Sequence, residues 1–222
     1  MSGGEVDEMG KGALRRRVLA ARRAVPVTVR EAEAAALAAT VLHQGFDPAS
    51  RSQPQGFDPA SRSHALELPG TVCAYWPVGA EPGSPVLLDG LARRGCQVLL
   101  PVVSTSAGPP GPLDWAQYTG PESLRAGVLG LREPAGPRLG RTAIATAVLV
   151  LVPALAVDLY GARLGRGGGY YDRTLPLAAP GTPLVAIVRD DEVFASLPVQ
   201  PHDVPVTAAL TPGRGLLPLG RL

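Results

Sequence analysis

Four apolar, β-rich runs are spaced along the chain, and segments with helical character lie between several of them. The runs are TVCAYWP (71–77), CQVLLPVV (96–103), TAVLVLVPAL (146–155) and PLVAIVRDD (183–191). The third run is apolar without a break, which is typical of a strand that is covered on both faces. Strands that alternate with helices indicate βαβ units. We therefore expect an α/β fold with a three-layer, mostly parallel sheet and helices on both faces, of the Rossmann-like, open-sheet kind.

The composition is that of a globular protein with a buried core. The chain has 222 residues, of which 45% are hydrophobic and 18% are charged. The net charge of +2 argues against a polyanion as a partner of the whole molecule, so we expect no nucleic acid partner. No apolar run is long enough to cross a bilayer, and the N-terminus lacks the apolar region of a secretion signal. We expect a cytoplasmic monomer without a membrane partner, in which Cys73 and Cys96 are buried, reduced thiols.

The N-terminal region carries a basic helix. We expect residues 1–10 to form a mobile tail and the helix to begin at Lys11, where apolar residues start to recur at helical spacing. Lys11 and Arg15 are one turn apart, so both can reach one anion. The segment 11–30 has seven Lys or Arg residues and no acidic residue, so a solvated basic face is the alternative interpretation.

A nine-residue sequence, QGFDPASRS, occurs twice, at 44–52 and at 55–63. Two copies are too few for a solenoid, which needs about three stacked repeats. We interpret 44–63 as a duplicated surface loop, because such a loop absorbs extra length at little cost in free energy. A functional role of the copies is the weaker alternative. We expect all of 11–222 to form a single domain.

The most unusual local stretch is RLGRGGGYYD, at 163–172, which holds four glycines between two arginines, two tyrosines and an aspartate. Successive glycines let several backbone N–H groups converge on one point, and a helix that starts behind them adds positive potential. Arg163 and Arg166 add charge-assisted donors. The stretch therefore indicates a phosphate-binding loop. It fits neither standard phosphate fingerprint, and a plain hinge or tight turn is the alternative.

Asp172 follows the glycines directly. A carboxylate at this position can hold Mg²⁺ against bound phosphates, since proteins bind Mg²⁺ through one or two carboxylates together with phosphate oxygens. The alternative is a carboxylate that is stabilised by the dipole at a helix start. The spacing alone leaves both interpretations open.

The glycine-rich stretch also carries a resemblance. The segment LVLVPALAVDLYGARLGRGGGYYDRTL (149–175) resembles the signature of the 5-formyltetrahydrofolate cyclo-ligases, also called 5,10-methenyltetrahydrofolate synthetases. Further similar segments follow the order of that family: K-x-x-L-R at 11–15, YWPVGAEPGSPVLLDGLARRGCQVLLP at 75–101, LREP at 131–134 and HDVPVTAALTP at 202–212. The resemblance covers nearly the whole chain apart from the tail and the duplicated loop.

The resemblance implies a reaction and its cofactors. Members of the family convert 5-formyltetrahydrofolate and MgATP to 5,10-methenyltetrahydrofolate, ADP and phosphate, in one-carbon folate metabolism. The formyl oxygen is phosphorylated, N10 closes the ring and phosphate leaves, so no protein nucleophile is needed. The lack of a plausible Ser-His-Asp or Cys-His set agrees with this reaction. ATP and Mg²⁺ are thus the expected cofactors, and 5-formyltetrahydrofolate is the expected partner.

The resemblance further implies roles for individual residues around the phosphates. Lys11 and Arg15 would bind the ATP phosphates, while Arg166 and Tyr170 would also act catalytically beside the reacting formyl group. The full set expected to bind the nucleotide is Lys11, Arg15, Arg163, Leu164, Gly165, Arg166, Gly167, Gly168, Gly169, Tyr170 and Tyr171. We refer to these residues as the nucleotide-binding set.

Folate and metal ligands are implied in the same way. Glu81 matches the glutamate that binds folate, and a carboxylate suits the N–H donors of a pterin. Trp76 matches a position that lines the substrate, with a core aromatic on a strand as the alternative. Asp172 and Asp203 would hold Mg²⁺. The sequence departs from the family at Thr207, where many relatives carry a second aspartate, and directly after Glu81, where Pro-Gly-Ser stands.

Two other functions remain open at this stage. One is a different ATP-using α/β enzyme that acts on another anionic small molecule, which is favoured if the surroundings of Glu81 do not fit a pterin. The other is a non-catalytic nucleic-acid-binding relative that uses the basic helix within 11–30. This second function requires further basic patches beside the helix.

Overall fold

The computed structural model describes residues 10–43, 70–104 and 110–220. The expected mobile tail, apart from Gly10, and the duplicated loop at 44–63 lie outside these ranges. The α-helices are α1 (Lys11–Ala24), α2 (Val27–His43), α3 (Pro85–Arg93) and α4 (Tyr170–Thr174). The 3₁₀ helices are Pro121–Ser123, Val128–Gly130, Arg141–Thr146, Leu175–Leu177 and Asp190–Glu192.

The described residues contain twelve strands, which form three sheets. They are β1 (Thr71–Cys73), β2 (Gln97–Val102), β3 (Asp114–Gln117), β4 (Leu124–Ala126), β5 (Arg132–Pro134), β6 (Ala147–Pro153), β7 (Ala156–Asp158), β8 (Arg163–Leu164), β9 (Leu184–Ile187), β10 (Val193–Phe194), β11 (Ala208–Thr211) and β12 (Gly215–Pro218). Seven strands build the main sheet in the order β12-β11-β9-β6-β1-β2-β3. The small sheets are β10-β7-β8 and the β4-β5 hairpin.

The main sheet is mostly parallel, as the alternating apolar runs predict. The five strands from β11 to β2 run parallel to one another, and β12 and β3 add antiparallel edges. The four predicted strands correspond to β1, β2, β6 and β9. β1 ends at Cys73 rather than at the predicted residue 77. The α/β fold class is confirmed.

The two faces of the main sheet are covered by different kinds of helix. Alternate residues of each strand point to opposite faces, so two separate hydrophobic clusters form. On one face the long helices α2 and α3 pack through residues such as Leu37 and Leu91. On the other face the cover includes Ile144 and Leu175, which lie in 3₁₀ helices. Helices therefore lie on both faces, but those of the second face are short.

Helix α1 lies apart from these layers, over the small β10-β7-β8 sheet. Its apolar stripe, with Leu14 and Val18, is buried against Leu155 and Leu164. Its C-terminal end is tied down by Arg22, whose side chain is only 2% exposed. This arginine forms a two-point ion pair with Glu192, with distances of 2.6 Å from Nε to Oε1 and 2.7 Å from Nη2 to Oε2. The basic helix is thus partly internal, not an entirely solvated face.

The strand order places a crevice beside β1. The chain passes from β1 through α3 to β2 on one side, and it later returns to add β6 on the other side of β1. Open α/β sheets bind ligands outside the carboxyl ends of the strands at such a reversal of strand order. None of the described helices is both long and apolar enough to span a membrane. The extent of the single domain, 11–222, remains a prediction.

Candidate active site

A cavity of about 440 Å³ opens at the carboxyl ends of β1, β2 and β6. Its walls include Trp76 after β1, Val103 after β2 and Ala154 after β6. Every residue that the sequence analysis placed in the site lines this cavity, apart from Leu164. The structure therefore brings together side chains from α1, the loop after β1, the glycine-rich stretch and the segment 200–203.

Leu164 differs from the other members of the nucleotide-binding set. Its side chain is buried, packs with Leu14 and Val18 under α1, and does not line the cavity. Its carbonyl accepts a hydrogen bond from the N–H of Leu155 at 2.8 Å. Strand residues alternate in direction, so Leu164 points into the core while the neighbouring Arg163 lines the cavity. The Leu164 side chain therefore faces the core, and a role of this residue in nucleotide binding remains a prediction.

The start of α1 brings two cations to the cavity. The ammonium of Lys11 donates a hydrogen bond to the Asp203 carboxylate, and both side chains are largely buried. Nε of Arg15 donates to the carbonyl oxygen of Gly165 at 2.8 Å. Burial opposes the charge on Asp203, but the hydrogen bonds from Lys11 and from the Gln200 N–H outweigh it and lower the pKa of Asp203. The one-turn spacing of Lys11 and Arg15 therefore places both against the same loop.

The glycine-rich stretch needs its glycines for geometric reasons. Gly167 and Gly169 have φ values of +103° and +66°, which residues with a side chain rarely adopt. A Cβ atom on Gly168 would lie 3.0 Å from a ring carbon of Tyr170, and one on Gly169 would lie 2.7 Å from Nη1 of Arg173. The loop thus keeps its backbone bare along the cavity, as the phosphate-binding interpretation requires.

Two buried polar atoms at the site have no hydrogen-bond partner within the described chain. One is Nε of Arg163, whose Nη2 donates to Oδ1 of Asp172 at 2.7 Å. The other is the hydroxyl of Tyr171, over whose ring the Arg163 guanidinium lies at 5.8 Å. Burial and the nearby charge of Glu81 raise the pKa of Tyr171, so the hydroxyl keeps its proton and stays a donor. Both atoms can donate to a bound acceptor.

The carboxylate of Glu81, from the loop after β1, also lines the cavity. Its Oε2 accepts a hydrogen bond from the N–H of Val78 at 2.9 Å, which fixes its orientation. Its Oε1 lies 2.9 Å from Nε of Arg166, whose side chain is 53% exposed. In the segment that departs from the family after Glu81, the backbone carbonyl of Pro82 accepts a hydrogen bond of 2.6 Å from the Tyr75 hydroxyl. The Glu81 carboxylate is thus rigid, while its arginine partner is exposed enough to move.

An aromatic wall lies next to Glu81. The Trp76 ring is 6.2 Å from the Tyr118 ring between centroids, and the Arg132 guanidinium lies 5.3 Å above Trp76. Trp76 also touches the core, so its two interpretations are compatible with each other. Sequence reasoning gave Arg132 no role, although it belongs to the LREP segment of the resemblance. The LREP segment was therefore the sequence signal from which a role of Arg132 could have been predicted.

The fold brings the two expected metal ligands, Asp172 and Asp203, near each other. Oδ1 of Asp172 accepts a hydrogen bond of 3.4 Å from the N–H of Val204, the residue after Asp203. Each of the two carboxylates pairs with a cation, and the described ranges contain no cluster of three or more His, Cys, Asp or Glu residues suited to a metal. Thr207 does not line the cavity, because its hydroxyl and N–H bind Leu184 at the amino end of β9.

Comparison with known proteins identifies the family. The model of the 5-formyltetrahydrofolate cyclo-ligase family matches residues 7–212. A 5-formyltetrahydrofolate cyclo-ligase of Mycolicibacterium smegmatis is 48% identical over 211 residues, which cover 94% of this chain and 97% of that protein. The protein of the same name from Escherichia coli K12 is 31% identical over 145 residues, 65% of this chain and 79% of its own.

Solved structures agree with this relationship. The NMR structure of Aquifex aeolicus 5,10-methenyltetrahydrofolate synthetase has a TM-score of 0.68 and 25% identity, and the match covers 96% of this chain and 95% of that one. A 5,10-methenyltetrahydrofolate synthetase from Mycoplasma pneumoniae has a TM-score of 0.65 with 16% identity, over 90% of this chain and 98% of that one, which shows the shared fold. With a family model that spans nearly its whole length, the chain belongs to the 5-formyltetrahydrofolate cyclo-ligase family.

Proposed function

We propose that this protein converts 5-formyltetrahydrofolate to 5,10-methenyltetrahydrofolate with ATP and Mg²⁺, and that it releases ADP and phosphate. The observation that carries the proposal is one cavity with two chemically different walls. One wall has the bare glycine backbone and the cations of α1, and the other has the fixed carboxylate of Glu81 beside Trp76. The first wall suits a polyphosphate, and the second suits a flat heterocycle with N–H donors.

The phosphate wall offers more donors than the protein itself uses. Nε of Arg163 is buried without a partner in the described chain. The Arg15 side chain donates from Nε to the carbonyl of Gly165, which is a neutral acceptor. Lys11 stands beside them at the start of α1. Lys11 and Arg163 are paired with Asp203 and Asp172, whereas Arg15 contacts a neutral carbonyl, so its charge attracts a bound polyanion.

The carboxylates fit Mg²⁺ in the manner that is typical of nucleotide sites. Mg²⁺ is usually held by one or two carboxylates together with substrate phosphates and water, so Asp172 and Asp203 suffice without a third acidic residue. When bound with ATP, Mg²⁺ would neutralise part of the phosphate charge. Asp172 and Asp203 would then exchange their present partners, Arg163 and Lys11, for the metal, while these two cations turn to the phosphates.

On the folate side we assign the two oxygens of Glu81 different tasks. Oε2 is occupied by the Val78 N–H, so Oε1 is the oxygen that accepts from a pterin. Arg166 holds Oε1 in the absence of substrate, and it is half-exposed and long enough to swing away. We propose that it moves towards the formyl group, where it stabilises the negative charge that develops during transfer of the phosphoryl group.

The residues of the chain orient and neutralise rather than attack. The formyl oxygen of the substrate takes the phosphoryl group of ATP, N10 of the substrate then closes the ring, and phosphate leaves. Arg166 and Tyr170 both line the cavity, and we propose that these atoms meet beside them. Burial raises the pKa of Cys73 to about 12, and this thiol does not line the cavity, so it is not available as a nucleophile. Such a reaction depends mainly on positioning and charge.

The proposal is tested by following the absorbance of 5,10-methenyltetrahydrofolate formed from 5-formyltetrahydrofolate, with and without ATP and with and without Mg²⁺. We expect product only when all three components are present. ATP hydrolysis or ATP binding without formation of this product would favour the alternative of a different ATP-using enzyme. The cytoplasmic location and the monomeric state remain predictions.

The alternative of a nucleic-acid-binding protein fits the basic helix less well. Of its cations, Arg22 is buried in an ion pair, and Lys11 and Arg15 line the cavity. Such residues are not displayed towards a long polyanion on the surface. Unchanged electrophoretic mobility of RNA in the presence of the protein, beside ATP-dependent turnover, would separate the two functions.

A further inference from the structure

A second cavity, of about 310 Å³, lies beside the first, and it has no part in the proposed reaction. It is bounded by the C-terminal end of α1, by the first turns of α2 and by the loop that leads from β1 to α3. Glu81 lines both cavities, so this residue connects them. The second cavity falls in the size range of small-molecule sites.

Two arginines supply unused donors to this cavity. Arg22 is only 2% exposed, and its Nε and Nη2 are committed to Glu192 and to the carbonyl of Ala154. Its Nη1 is buried without a partner in the described chain, and so is Nε of Arg30, which lines the same cavity from α2. A buried donor without an acceptor costs free energy, and a bound oxyanion would remove that cost.

The acidic residues around this cavity do not occupy these donors. Glu33 pairs with Arg189 at 2.7 Å, and Glu81 pairs with Arg166 at 2.9 Å, so both carboxylates are already engaged. The third acidic residue of the lining, Glu31, is exposed to solvent. The first turn of α2 contains no acidic residue, which leaves the positive end of the helix dipole facing this region. The unsatisfied polar groups of the cavity are therefore the hydrogen-bond donors Nη1 of Arg22 and Nε of Arg30.

We propose that the second cavity binds a single oxyanion, a carboxylate or a phosphate, at Nη1 of Arg22 and Nε of Arg30. The lining also includes the apolar residues Val25, Val27 and Pro77, which can contact the carbon atoms attached to the anion. A carboxylate can have two sources here. One is the glutamate tail of the folate, held nearby if Glu81 binds the pterin, and the other is a separate small metabolite. Only this choice of source rests on the proposed function.

The position of the anion is tested with selenate, whose anomalous scattering locates it in crystals. We expect a selenate peak between Arg22 and Arg30, which persists in Arg15→Ala, a variant that weakens the phosphate wall of the first cavity. The peak should be absent in Arg30→Leu and present in the matched control Arg23→Leu, since Arg23 is exposed on α1 and lines neither cavity. No peak in the second cavity, or an equal peak in Arg30→Leu, would overturn the proposal.

Binding in solution separates a site from a crystallisation artefact. Selenate is titrated into Arg15→Ala, into Arg15→Ala/Arg30→Leu and into Arg15→Ala/Arg23→Leu by calorimetry. We expect saturable binding that Arg30→Leu weakens about tenfold or more and that Arg23→Leu leaves unchanged, as for the loss of one charge-assisted hydrogen bond. A crystal peak without saturable binding in solution would mean an adventitious ion only, and it would overturn the site.

The source of the carboxylate is then decided by competition. Displacement of selenate from the second cavity by 5-formyltetrahydrofolate, but not by the same pterin lacking its glutamate, assigns the site to the folate tail. No displacement by either compound assigns it to a separate metabolite, and both results support the site. Selenate binding does not require turnover, so a failure of the proposed function in the absorbance assay leaves this test intact.

Discussion

The Asp203 carboxylate accepts a hydrogen bond from the Lys11 ammonium, so the residue expected to bind the metal is paired with one expected to bind the phosphates. Asp172, the other expected metal ligand, is likewise paired with a residue expected to bind the phosphates, with 2.7 Å between its Oδ1 and Nη2 of Arg163. Opposite charges thus hold each other in place until ligands arrive. Metal and nucleotide can replace these internal pairs together more easily than either can alone, because a lone ligand would leave one partner uncompensated.

Replacing Asp203 with Asn tests this arrangement. We expect the Mg²⁺ concentration for half-maximal turnover to rise about tenfold or more, because a charged oxygen ligand is replaced by a neutral one. Turnover is measured against Mg²⁺ at saturating ATP. Asp191→Asn is the control, since this side chain is 68% exposed and lies outside the cavity. An unchanged Mg²⁺ requirement in Asp203→Asn would contradict the assignment.

Arg15 and Arg16 form a matched pair on α1. Arg15 lines the cavity, and Arg16 is exposed and does not. We expect Arg15→Ala to weaken apparent ATP affinity about tenfold to a hundredfold, the equivalent of one charge-assisted hydrogen bond of about 1.5–3 kcal/mol. Arg16→Ala should leave it nearly unchanged. Equal effects on the KM for ATP would favour a general electrostatic role of the helix.

Gly168 tests whether the loop must stay bare. In Gly168→Val the new side chain meets the Tyr170 ring and narrows the cavity, so we expect turnover to fall about tenfold or more. Gly136→Val is the control, because a Cβ atom there has nothing within 4 Å and the position lies outside the cavity. Steady-state rates are compared with thermal melting curves of both variants. A Gly168→Val protein that is folded and fully active would refute the phosphate-loop assignment.

The buried pair of Arg22 and Glu192 should dominate the stability of the α1 end. Glu192→Leu leaves a buried arginine without its counter-charge, and we expect a loss of about 3–5 kcal/mol in the free energy of unfolding. The double variant Arg22→Met/Glu192→Leu should be more stable than Glu192→Leu alone, because no charge is then left unpaired. Urea denaturation measures both. A double variant less stable than the single one would show that Arg22 acts mainly through its other contacts.

Asp190 should make stability depend on acid pH. Burial opposes its charge, but hydrogen bonds from Thr211, Gly213 and Arg214 outweigh it and lower the pKa of Asp190 below its ordinary 3.8. A lowered folded-state pKa contributes stability that is fully present above pH 3.8 and lost as pH falls through the folded value. Wild-type protein should thus exceed Asp190→Asn in unfolding free energy at pH 6, with a difference that shrinks at pH 3. A constant difference across this range would contradict the prediction.

The parts of the fold that the sequence predicts best are those with a strong local signal. β6 and β9 are buried on both faces, so their apolar runs are unbroken and unmistakable. The edge strands β3 and β12 are only four residues long, and β4 and β5 are shorter still. These strands lie among Pro and Gly, where no periodic pattern can develop, and they form because a neighbouring strand offers its free edge.

The features of the candidate site also differ in how well the sequence predicts them. The glycine-rich stretch is local, so its role could be predicted from adjacent residues. The partner of Asp203 is 192 residues away, and no spacing rule connects Lys11 to it. Only the tertiary structure shows that Nη1 of Arg22 lacks a partner among the described residues. In that structure Glu192 and the carbonyl of Ala154 accept the hydrogen bonds of the other guanidinium nitrogens. Such pairings depend on tertiary structure, which the pattern of one segment does not contain.

The contacts of α1 also bear on the order in which the protein can mature. This helix packs on Leu155, Leu164 and Leu197 and pairs with Glu192 and Asp203, all of which are synthesised well after it. Synthesis proceeds at about 5–20 residues per second, so the helix waits many seconds for these partners. The proposed phosphate site is therefore complete only after Asp203 has been synthesised, and a nascent chain that ends before this residue lacks its pair with Lys11.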